Sequence, residues 1–70
     1  MQTQEILQEA KELRQIVSKA MELVEKMKAR VPEMEEPAVS AQCSVIRAFL
    51  HQSVHHEKML EEMLNLRAAS

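Results

Sequence analysis

From residue 6 to residue 31 the chain sets a small or aliphatic residue at alternating spacings of four and three: Ile6, Ala10, Leu13, Val17, Ala20, Val24, Met27 and Val31. A spacing that averages 3.5 returns each time to nearly the same side of an α-helix, whereas on a strand it scatters residues over both faces. The stretch therefore predicts one long amphipathic helix, over about residues 3–30. Thr3 is placed to cap its start. Glu5, Glu9 and Glu12 near the beginning, and Lys26, Lys28 and Arg30 near the end, suit the helix dipole. Leu7, Ile16, Met21 and Leu23 flank the seam and widen the apolar arc to roughly half the circumference, more than one neighbouring helix covers.

Pro32 and Pro37 interrupt this pattern, each removing a backbone donor and pushing the preceding residue away from helical angles, so a turn is expected over about residues 31–37. Pro37 suits the first turn of a second helix, and Glu33, Glu35 and Glu36 suit its positive end. That helix is expected over about residues 38–67. Its projection gathers Val39, Cys43, Ile46, Leu50, Leu60 and Leu64 on one side, with Val45, Phe49, Met59 and Met63 beside them. A short connection between long helices predicts an antiparallel two-helix hairpin, all-α, forming one domain over residues 1–70. Folding about the middle of the turn pairs positions whose numbers total about 69, which sets Phe49 near Ala20 and Leu60 near Ala10, large against small.

Seventy residues bury little core, and small domains are commonly reinforced by disulfides, metals or association. The single Cys43 forms no internal disulfide, and it falls on the apolar arc as a small hydrophobe. Association is the expectation that remains. The hairpin is expected to dimerise into a four-helix bundle or to complete a bundle with another helical protein. Met21, Met27, Met34, Met59 and Met63 add adaptable side chains to such surfaces.

A net charge of −2, with bases interleaved among acids, disfavours nucleic acid. A dimeric regulator reading structured RNA through Lys11, Arg14, Lys19 and Lys26 on the outer side of helix 1 stands as an alternative. Neither a basic, apolar leader nor a membrane-length apolar run is present, and a cytoplasmic location is expected. The absence of glycine leaves no phosphate-cradling loop, and the absence of aspartate leaves no such orienter for a nucleophile. Neither an enzyme nor a cofactor is expected.

All three histidines lie in helix 2. His51 and His55 have the i, i+4 spacing of zinc-chelating pairs, and His56 joins them if a symmetric dimer brings two copies together, so a metal-binding bundle is a second alternative. His51 and His55 project away from the apolar arc, whereas Ser53, His56 and Glu57 project into it. Polar residues in a helical seam cost stability but fix register. The expected function is a non-enzymatic protein–protein interaction module: an adaptor, chaperone-like binder or regulator. Its surface is expected to comprise Ile6, Leu13, Val17, Val24, Phe49, Leu50, Ser53, His56, Glu57, Leu60 and Leu64.

Overall fold

The computed structural model describes residues 2–69, with the side chains of Glu33 and Met34 outside the description. Two 33-residue helices, α1 (Gln2–Met34) and α2 (Pro37–Ala69), pack against each other, and the described residues contain no strand. The pairs Arg14–Glu61 and Glu25–Arg47 bridge the helices, and as the α1 number rises the α2 number falls, so the helices run antiparallel. The result is a rod with Cα extents of 54 × 15 × 12 Å.

The turn is much shorter than its two prolines imply. α1 continues through Pro32 to Met34, and only Glu35 and Glu36 lie between the helices. A proline inside a helix costs about 3 kcal/mol, and burial of Val31 against α2 offsets part of that cost by roughly 1.5–3 kcal/mol. The chain leaves α1 through Glu35, whose φ of 52° is the left-handed conformation that ends many helices and usually falls to glycine. The Glu36 carbonyl accepts from the Val39 and Ser40 amides, and Pro37 occupies the position where a missing N–H costs nothing.

Two local expectations are corrected by these boundaries. Thr3 lies inside α1 and is not its cap, and the last turn of α1 carries no basic residue. The register moves too. Cross-helix ion-paired residues total 75 and 72, because the turn is centred on Glu35 and Glu36. Phe49 and Leu60 accordingly do not nest on Ala20 and Ala10; both are exposed.

The hairpin's own seam is narrow. On α1 it follows Thr3, Leu7, Ala10, Val17, Met21, Val24, Lys28 and Val31, with half-exposed Arg14 at the intervening position. On α2 it follows Ser40, Cys43, Leu50, Val54, Glu57, Glu61 and Leu64. Val24, Val31 and Cys43 form the buried cluster, with Leu50 packed on it. Toward the other end Glu57 and Glu61 enter the seam at 6% and 8% exposure.

Candidate interaction face

Each helix carries a second apolar stripe, one residue ahead of its seam. On α1 it runs Ile6, Leu13, Ile16, Ala20, Leu23 and Met27, and on α2 Val39, Ile46, Phe49, Leu60 and Met63. One residue is 100° of rotation about the helix. Because the helices run in opposite directions, the same backward step on each turns both stripes toward the same side of the hairpin. Two stripes therefore make one continuous face.

That face is in water. Its five large apolar side chains from α1 and five from α2 are all exposed, with Ile16 at 64% and Phe49 at 66%. Val45, Met59 and Leu66 extend its α2 rim and are exposed as well. Scattered exposed aliphatics are ordinary on a small protein, but a contiguous face along most of the molecule's length is the mark of a contact surface.

The expected surface residues divide between the two stripes. Val24 and Glu57 are buried between the chain's own helices, and Val17, Leu50, Ser53 and Leu64 are half-buried. Ile6, Leu13, Phe49, His56 and Leu60 are exposed on the open face. The 4-3 seam of α1 is thus split lengthwise: Ala10, Val17, Val24 and Val31 turn toward α2, and Ile6, Leu13, Ala20 and Met27 toward the open side. It points midway between the two.

The polar layer has a definite structure. Ser53 Oγ lies 2.7 Å from the Leu50 carbonyl and 2.8 Å from Glu57 Oε2. A hydroxyl has one proton to donate, so the two acceptors compete for it. Glu57 Oε1 is buried without a hydrogen-bond partner. One turn on, Glu61 Oε2 is buried 3.6 Å from Arg14 Nε, an ion contact longer than a hydrogen bond. Glu61 is a seam residue that periodicity did not single out, and Leu7, expected beside the seam, lies in it.

His51, His55 and His56 are exposed, and the rings of His55 and His56 meet edge-on with centroids 5.5 Å apart. Among the described residues no group of three histidine, cysteine or acidic side chains is placed to hold a metal ion. Cys43 is buried and free. Lys11, Arg14, Lys19 and Lys26 do not form one basic surface: Arg14 turns to Glu61 at the seam, while Lys19 and Lys26 border the open face on its outer side. Among the described residues no helix is long and apolar enough to cross a membrane.

Compared with known proteins, the chain matches no family model, no curated sequence and no solved structure.

Proposed function

We propose that this hairpin is a non-enzymatic protein–protein interaction module, an adaptor, chaperone-like binder or regulator, that works by docking its open face on further helices. The bundle so completed has four helices, formed with a second copy or with another helical protein. The observation that carries this reading is the mismatch between the two sides of the molecule. The seam accepts two carboxylates, while ten large apolar side chains on the open face are left in water. A hairpin stabilised by its own two helices alone lowers its free energy by rolling each helix toward the apolar stripe and returning Glu57 and Glu61 to solvent. A third and fourth helix on the open face remove that incentive and hold the helices at the observed rotation.

Thermal unfolding over two decades of concentration, with an apolar dye as a second readout, tests this reading. The wild type is expected either to melt higher as concentration rises or to bind the dye, and Phe49→Lys is expected to abolish whichever is seen. A wild type that melts cooperatively at one temperature throughout and binds no dye overturns it.

A further inference from the structure

We infer that the occupant of the open face is a second copy of this chain, docked with the two turns at opposite ends, so that α1 lies on the partner's α1 and α2 on the partner's α2. The inference rests on the interaction-module reading and adds the identity and direction of the partner. Four observations on the face carry it.

The first is the contrast between its two rims. The outer rim of α2 is largely apolar, with Val45, Met59 and Leu66 and one acid, Glu62. That of α1 is charged, with Glu5, Glu12, Lys19 and Lys26, and Glu9 and Arg30 lie on the stripe itself. If the turns met at one end, α1 would cross the partner's α2 and press these charges on apolar side chains, leaving them desolvated and unpaired. Docking each helix on its own copy sets apolar rim on apolar rim and charge on charge.

The second is that α1 is complementary to its own reverse. When two copies run antiparallel about a point between Lys19 and Ala20, Glu9 faces the partner's Arg30 and Ile16 faces the partner's Leu23, while Glu12 comes within one residue, about 1.5 Å along the axis, of level with the partner's Lys26. Acid meets base at both ends and aliphatic meets aliphatic between them. Lys19 comes within one residue of level with its own copy, but at an exposed rim, where like charges repel weakly. Small Ala20 at the centre allows close approach of the helices.

The third is that α2 is also complementary to its reverse, about a point between Val54 and His55. Gln42 then faces the partner's Arg67, Ile46 the partner's Met63, Phe49 the partner's Leu60, and Ser53 the partner's His56. Polar meets polar and apolar meets apolar along the stripe. The two centres belong to separate helices, yet they total 74, within the 72 to 75 of residues that stand level across the hairpin. One two-fold axis therefore passes through both, as an isologous dimer requires. It places the polar Ser53–His56 layer at the middle of the interface, where a slip of register leaves both residues unpaired.

The fourth is size. The Cα extents of 54 × 15 Å give this face a footprint of roughly 800 Å², about what each partner contributes to a standard stable interface.

Complementary charge reversal tests the arrangement. One variant carries Glu9→Lys and Glu12→Lys, the other Lys26→Glu and Arg30→Glu. All four positions are exposed, and circular dichroism verifies that both variants stay helical. Each alone opposes like charges in its own dimer, and its dissociation constant is expected to rise roughly 10- to 100-fold. Mixed, they restore every pair, and a heterodimer of near wild-type affinity is expected. Ala20→Cys in a Cys43→Ala background supplies a second measurement: residue 20 lies on the stripe beside the axis, within one residue of level with its own copy, so oxidation is expected to give a disulfide-linked dimer. A monomeric wild type overturns the second copy and leaves the interaction module standing if the apolar dye binds. A dimeric wild type whose reversed variants associate unchanged, whose mixture fails to recover, or whose Ala20→Cys form does not cross-link overturns the arrangement alone.

Discussion

Glu57→Leu is expected to make the protein more stable. In the wild type this carboxylate is 6% exposed, its Oε1 has no hydrogen-bond partner, and its Oε2 competes with the Leu50 carbonyl for the single proton of Ser53. A buried polar atom left without a partner costs about 1–3 kcal/mol, and a hydrogen bond to a charged group returns roughly 1.5–3 kcal/mol at best. Leucine removes both terms and adds a buried aliphatic side chain worth roughly 1.5–3 kcal/mol. The balance favours leucine by about 2 kcal/mol, in the range found when buried charges give way to packed hydrophobes. Urea unfolding followed at 222 nm, at one fixed concentration, reads this as a midpoint about 2 M higher, taking a slope near 1 kcal/mol per M for a chain of this size. Glu57→Gln is the isosteric check: its amide donates to Ser53 Oγ, frees the hydroxyl for Leu50, and is expected to add about 1 kcal/mol. A lower midpoint for both variants would refute the claim that Glu57 is an underpaired group in the seam.

Other substitutions probe the remaining features. Val24→Ala deletes two methyl groups from the buried cluster and should cost about 1–2 kcal/mol in the same urea experiment, whereas Phe49→Ala should leave helicity intact and weaken only association. Arg14→Ala strips Glu61 of its ion contact and should cost about 1–2 kcal/mol, less than a fully buried pair because Arg14 is half in water; Arg14→Leu combined with Glu61→Leu should recover the loss. Glu35→Gly relieves the left-handed turn residue and should raise stability by about 0.5–1 kcal/mol, while Glu35→Val should lower it by a similar amount or more.

The hairpin was legible because two features agreed: an unbroken 4-3 seam on α1 and two prolines five residues apart. The helix rotation was not. The apolar arc of α1 is so broad that its centre line, from Ile6 to Val31, points neither at α2 nor at the open side but between them. The stripe that packs on α2 runs through Thr3, Arg14 and Lys28, which read as polar, although the long stems of arginine and lysine lie readily along an apolar seam. Glu61 escaped notice for the same reason, since a carboxylate one turn from Glu57 reads as solvated until Arg14 is seen across from it. The turn was misjudged because proline propensity is local, while the packing of Val31 that carries α1 past Pro32 is tertiary. Of the three polar residues in the arc, the structure separates buried Glu57 and half-buried Ser53 from exposed His56, a distinction of less than one turn that periodicity does not resolve.

A hairpin that is half of a bundle shows itself in the mass of the purified wild-type chain in solution. Sedimentation equilibrium at micromolar concentration should return twice the chain mass, falling to one chain for Phe49→Lys and for either charge-reversed variant, and returning to two when the reversed variants are mixed. A single-chain mass for the wild type at every concentration, with a cooperative melt that dilution does not move and no binding of an apolar dye, would contradict the half-bundle reading.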